Sequence, residues 1–240
     1  GPPFFEQAVV VFGGAGHVQA GKHRQVVGAI VGAIGGAIGS AIGGQAQHRF
    51  GHQRVQDQRP NHGGAGAYTP AAAIHGHQAE DPGLSGMRTT LVVLTTDGAQ
   101  ALWAHVGDSR LYLLRDGRVC LQTEDHSVPQ ALVRAGELTP AEVRTHPDRN
   151  RLLRALGDGK PPRPDLAATP LAIQPGDAFL LCSDGFWEAV TESEMEVALA
   201  KASDAHDWLE RMALGLRRQA KPGQDNYTAL AILAEAPLSS

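Results

Sequence analysis

The stretch that decides the fold runs from residue 89 to residue 121 and reads TTLVVLTTDGAQALWAHVGDSRLYLLRDGRVCL. Residues 89–96 are apolar or β-branched, Asp97-Gly98 follows, and residues 99–106 resume an apolar run, a pattern of strand, hairpin turn and strand. A second Asp-Gly pair, Asp116-Gly117, separates residues 110–115 from 118–121, so the stretch predicts an antiparallel meander. Beyond it, residues 128–135 and 139–145 carry helical spacing, with Gly136 and Pro147 as stops. Residues 166–173 and 178–182 read as strands joined by a Pro175-Gly176-Asp177 turn. Residues 192–201 and 206–219 read as helices, and residues 227–234 as a closing strand. Strands and helices in separate runs predict the α+β class.

The whole chain has 240 residues, 42% of them hydrophobic, which suffices for one domain with a large core. With 21 Lys and Arg against 25 Asp and Glu, the net charge of −4 leaves no basic footprint, and nucleic acid is excluded as an expected partner. Cys120 and Cys182 are too few for a disulfide scaffold and have no metal-ligand spacing, which predicts a reducing, cytoplasmic setting. The chain opens on Gly1-Pro2 without a charged and then apolar leader, so no secretion signal is expected.

Composition changes near residue 85. Residues 1–85 hold 18 of the 29 glycines, 7 of the 11 histidines and only four acids, Glu6, Asp57, Glu80 and Asp81. Two regions follow: an atypical Gly/His-rich, low-complexity part at 1–85 and a folded domain at 86–240. Within the first, residues 26–44 read VVGAIVGAIGGAIGSAIGG, with Ile30, Ile34, Ile38 and Ile42 four apart. As a helix this would line up one isoleucine stripe at nearly membrane-spanning length. Seven glycines and the absence of flanking aromatic anchors favour a low-complexity segment, so a membrane span is not expected. His48 and His52 have metal-ligand spacing on a helix, with His62, His75 and His77 nearby. Gly51 and Pro60 interrupt that helix, and solvated loop histidines are the expectation.

The residues with chemical potential lie in the second region. Asp108, Asp184 and Asp225 each stand at a strand end, where separate strands can bring carboxylates together around a hard divalent cation. Taken singly, each also fits a turn or cap. Asp125-His126-Ser127 has the residue types of a catalytic triad, but consecutive side chains diverge and cannot form its hydrogen-bond chain. Cys182 lies in an apolar run and reads as an inert core thiol. His105 reads as a strand residue, either satisfied or exposed.

In chain order the sequence contains GMRTT (86–90), VGDSR (106–110), DHS (125–127), HPDRN (146–150) through RALG (154–157), PGD (175–177), LCSDGFW (181–187) and DN (225–226). This ordered set resembles the metal-dependent protein serine/threonine phosphatases of type 2C, the PPM family, across residues 86–234. The details are similar to bacterial stand-alone domains, of the kind linked to type VI secretion. The resemblance implies a four-layer αββα sandwich of two antiparallel sheets with a dinuclear Mn²⁺ or Mg²⁺ centre and an additional, weaker site. It also implies that a metal-bound water attacks phosphorus directly, with no covalent nucleophile. By motif, Asp184 and Asp225 resemble the core metal ligands and Asp108 the acid of the weaker site. Ser183, Gly185 and Asn226 resemble supporting neighbours, Asn226 orienting Asp225. By the same resemblance, residues 132–156 correspond to the region near the family's variable flap, which implies an influence on substrate access. The implied partners are phosphorylated proteins, the substrates of a bacterial Ser/Thr kinase.

The sequence departs from the family at its N-terminal side, where a further metal-binding Asp belongs in an Asp-Gly-x-Gly-Gly motif. The nearest string, VVFGGAGH (10–17), has glycines but no carboxylate. Losing one carboxylate leaves close dications less neutralised, which weakens at least one site. Three readings stay open: a shifted reading frame over residues 1–85, a catalytically impaired pseudophosphatase that binds phosphoproteins, and a divergent active site that recruits Asp57 or Asp81.

Overall fold

The computed structural model describes residues 9–11, 70–82, 85, 88–96, 99–159, 163–219 and 227–234. The chain divides into two compact units, Gly1–Gly16 with Arg88–Ser240, and His17–Met87. In the second unit, helix α1 spans Pro70–Glu80. Proline fixes φ at the helix start and Ala71, Ala72 and Ala73 are the best helix formers, so the run nucleates there. His75 and His77 therefore sit on a helix, which corrects the loop expectation for these two. His48, His52, His62, Asp57 and the Ile-rich residues 26–44 lie outside the described residues. Among the described residues no helix is long and apolar enough to cross a membrane.

The larger unit is built on two antiparallel sheets. The first contains β1 (Val9–Val11), β2 (Leu91–Thr96), β3 (Gln100–Val106), β6 (Asp165–Leu166) and β7 (Leu171–Ala172), ordered β1-β2-β3 with β6 and β7 both on the far edge of β3. The second has the order β5-β4-β8-β9, from β4 (Arg110–Arg115), β5 (Arg118–Gln122), β8 (Ala178–Cys182) and β9 (Ala229–Leu233). The Asp-Gly turn between β4 and β5 works as the sequence requires: Asp116 has φ 52° and Gly117 φ 73°, the pair of positive values that a two-residue hairpin needs. β1 escapes a reading of the second region alone, because it joins β2 from some eighty residues away in the chain, with Val9 opposite Leu94 and Val11 opposite Val92. Residues 166–173 do not form one strand. Pro170 lacks the N–H a ladder needs, and the run splits into β6 and β7.

Strand alternation explains the layers. Leu111, Leu113, Phe179 and Leu181 face Val92, Leu94 and Ala101 between the sheets. Their neighbours Tyr112, Leu114, Leu180 and Cys182 face the other way, against Met195, Trp208, Met212 and Leu216. β8 is thus buried on both faces, which is why it reads as an unbroken apolar run. The covering helices are α5 (Glu192–Lys201) and α6 (Ala205–Gln219). Thr191 and Glu194 form a capping box that starts α5. Trp208, Met212 and Leu216 are spaced four apart and make one apolar stripe on α6. The described layers run sheet, sheet, helix, an α+β sandwich. Shorter helices complete the unit: α2 (Val128–Arg134), capped by Ser127; α3 (Pro140–Val143); and α4, a single turn at Asp184–Trp187.

Candidate functional site

Register places the first two acids. β4 and β8 pair antiparallel with Arg110 opposite Cys182, so Asp108 and Asp184 leave the same end of the pair, near enough for the charge of Asp184 to act on Asp108. Asp108 lies in the loop that joins β3 to β4 and is 5% exposed. Asp184 opens α4, half-buried, and its Oδ1 accepts from the Gly185 N–H at 2.8 Å. Burial, then the negative charges of Asp184 and Asp125, push the Asp108 carboxyl up to about 8. Two carboxyl groups at one strand end offer hard oxygen donors, and a divalent cation held there would reverse that shift. The residues present thus fit Mn²⁺ or Mg²⁺. Asp225 and Asn226 lie outside the described residues. Ser183 accepts from the Thr228 N–H at 3.0 Å through its hydroxyl and so ties β9 to the acid-bearing end of β8.

The loop that carries Asp108 is held from several sides. Gly107 has φ 103°, a value glycine tolerates, and its N–H donates to His126 Nδ1 at 3.1 Å while its carbonyl accepts from His126 N at 2.9 Å. The Ser109 and Thr90 hydroxyls meet at 2.8 Å. The indole N–H of Trp187 donates to the Asp108 carbonyl at 2.8 Å. Arg110 lies 3.4 Å from the centroid of that indole and forms two hydrogen bonds to Asp125, at 2.8 and 2.7 Å. Its Nη1 also donates to the Tyr112 hydroxyl at 3.0 Å, and Tyr112 donates to Glu192, itself held by Arg144. Burial opposes charge on Arg110, and the Tyr112 and Asp125 contacts outweigh it.

One further group gathers potential ligand atoms: His105, His126 and Asp165, within 4.8 Å of one another. Their protons argue for a brace. The Gly107 N–H donates to His126 Nδ1, so the neutral ring carries its proton on Nε2 and donates it to Asp165 Oδ2 at 3.1 Å. That nitrogen has no lone pair left for a metal, and Arg154 already supplies a cation 2.9 Å from Asp165 Oδ1. Burial, aided by His105 and Arg154, lowers the His126 pKa against the pull of Asp165, in keeping with a neutral ring. The two imidazoles stack, with centroids 4.7 Å apart. His105 is 5% exposed; its Nε2 donates to the Glu124 carbonyl at 2.8 Å, while its buried Nδ1 has no hydrogen-bond partner. The expectation of a satisfied or exposed His105 therefore fails: stacking on His126 buries a nitrogen that finds no donor.

Asp125, His126 and Ser127 diverge as expected, to Arg110, to Gly107 with Asp165, and to the N–H of Gln130. Cys182 is wholly buried and burial pushes its thiol pKa up, consistent with an inert core position. Trp187, Arg110 and Asp125 fall inside the sequence motifs, where their spacing assigns them no role. A tryptophan just after a strand-end acid was the available signal.

No family model matches the chain. Among curated proteins it is 38% identical over 122 residues to a putative protein phosphatase 2C-type of Streptococcus pyogenes, covering 51% of this chain and 48% of that one. The chain thus spans about half the length of this relative. Among solved structures, the PPM Ser-Thr phosphatase MsPP from Mycobacterium smegmatis, in complex with cacodylate, is 31% identical at TM-score 0.58, covering 70% of each chain. PppA, a key regulatory component of the type VI secretion system in Pseudomonas aeruginosa, is 31% identical at TM-score 0.63, covering 93% of this chain and 84% of that one. The catalytic domain of the serine/threonine phosphatase PstP, in complex with two manganese ions, is 26% identical at TM-score 0.63, covering 94% and 85%. Identity at this level over most of the chain has one conclusion: the chain belongs to the PPM family of protein serine/threonine phosphatases.

Proposed function

We propose that this chain hydrolyses phosphoserine and phosphothreonine on proteins, using Mn²⁺ or Mg²⁺ held by Asp184 and Asp225 with Asp108 serving a weaker site, and that residues 86–240 carry the chemistry. The supporting observation is that Asp108 and Asp184 leave the same end of the β4–β8 pair, with the charge of Asp184 acting on Asp108. When bound, the ions supply Lewis acidity, neutralise phosphoryl charge and acidify a coordinated water. The chain's own part is positional. Ser183 fastens the start of β9 to the end of β8, and His126, Trp187 and Thr90 fix the loop around Asp108. Ready-made ligand geometry avoids reorganisation during reaction, the main protein contribution to phosphoryl transfer. Two free cysteines support a cytoplasmic setting, and the likeness to PstP supports manganese.

The test is phosphate release from a phosphothreonine peptide by the full chain, with Mn²⁺ titrated and Asp184→Asn alongside. Metal-dependent release that the substitution abolishes supports the proposal. Release unaffected by chelator, or retained by Asp184→Asn, overturns it.

A further inference from the structure

We infer that Trp187 is a positioning residue for the metal centre: its indole N–H locks the Asp108 loop to the helix turn that begins with Asp184. This rests on the reading of the two acids as metal ligands and adds a residue to it. Trp187 ends α4, three positions after Asp184, so its backbone moves with that acid. Its Nε1 donates to the Asp108 carbonyl at 2.8 Å, across 79 residues of chain, and its ring is 1% exposed. One side chain therefore joins both acid-bearing segments.

The indole is itself fixed. The Arg110 guanidinium lies 3.4 Å from its centroid and is held by the buried carboxylate of Asp125. Arg110 follows Asp108 by two residues in β4, so the cation that braces the ring belongs to the acid's own segment. The hydrogen bond and the cation–π contact close one loop: Asp108 carbonyl, Trp187, Arg110 and back along the chain to Asp108. Without the N–H, the Asp108 carbonyl loses this partner in a buried setting, and the loop gains freedom to shift. Ion sites tolerate small displacements poorly, and losing an outer partner of a ligand typically lowers metal affinity about tenfold or more.

The decisive variant replaces Trp187 in the full chain with 3-benzothienylalanine, which keeps the bicyclic ring and exchanges only N–H for sulfur. Trp187→Phe is the second, fully genetic variant, and near-UV circular dichroism checks that both fold. Free Mn²⁺ is followed by electron paramagnetic resonance during titration, with Asp108→Asn and Asp184→Asn as references. The expected result is that the site weakened by Asp108→Asn binds Mn²⁺ about tenfold less tightly in the benzothienylalanine chain. An isotherm matching the wild type, while Asp108→Asn does lower binding, overturns the role of Trp187 alone. A change in Trp187→Phe but not in the benzothienylalanine chain assigns the effect to ring packing and also overturns it. Unchanged binding in both aspartate variants removes the metal reading itself, and this inference with it.

Discussion

Replacing Gly107 with alanine tests how tightly the loop before Asp108 is specified. The new Cβ would stand 2.3 Å from Thr90 Cγ2, 2.6 Å from Thr90 Cβ and 3.2 Å from Thr90 Cα. Thr90 cannot simply rotate away, because it is 4% exposed and its hydroxyl meets that of Ser109 at 2.8 Å. Two penalties therefore combine. A side chain at φ 103° adds about 1–3 kcal/mol of backbone strain, and overpacking against a rigid neighbour adds about 1–3 kcal/mol. Their sum, about 2–6 kcal/mol, is a large part of the roughly 5–15 kcal/mol that stabilises a typical native protein. Urea unfolding followed by circular dichroism should show a much lower midpoint for Gly107→Ala. Adding Thr90→Ser deletes Cγ2 but keeps the hydroxyl, and should return about 1 kcal/mol while leaving the φ strain. An unfolding free energy for Gly107→Ala within about 0.5 kcal/mol of the parent would show that the loop accommodates the methyl group, as would a double variant less stable than Gly107→Ala alone.

Asp125→Asn should destabilise the fold by about 3–5 kcal/mol in the same assay, because it strands the buried Arg110 charge; Arg110 and Asp125 have side chains only 5% and 1% exposed. Burial raises the Asp177 pKa, but the paired hydrogen bonds from Arg115 and the Gln174 N–H outweigh it and hold the carboxyl below its usual range. The resulting stabilisation is present above the unfolded carboxyl pKa of about 4 and is lost as pH falls through the folded value, so Arg115→Leu should flatten the acid limb of a stability–pH curve. Iodoacetamide should label exposed Cys120 and spare Cys182, which is 0% exposed, in folded protein analysed by mass spectrometry.

Local geometry was legible in the sequence and pairing was not. Asp116-Gly117 announces its hairpin because two consecutive positive φ values suit few other dipeptides. Residues 178–182 announce a strand because both faces are covered. The break in residues 166–173 is written there too, as Pro170. By contrast, the nearness of Asp108 and Asp184 follows from the β4–β8 pairing, which no spacing along the chain encodes. The Trp187 bond to Asp108 and the Asp125 clamp on Arg110 join segments 79 and 15 residues apart, and only the folded backbone brings them together. His105 shows the same limit. Its position in β3 was readable, but its burial depends on His126 arriving from the segment after β5.

The proposed metal centre lies where the ends of β4 and β8 bring Asp184, a core ligand, near Asp108, the acid of the weaker site. Crystals of the full chain grown with Mn²⁺, with diffraction recorded at the manganese absorption edge, test this most directly. The proposed centre predicts anomalous density on the Asp184 carboxylate near Asp108, and its disappearance in Asp184→Asn. Density found elsewhere with none at this pair, or density that persists unchanged in Asp184→Asn, would contradict it.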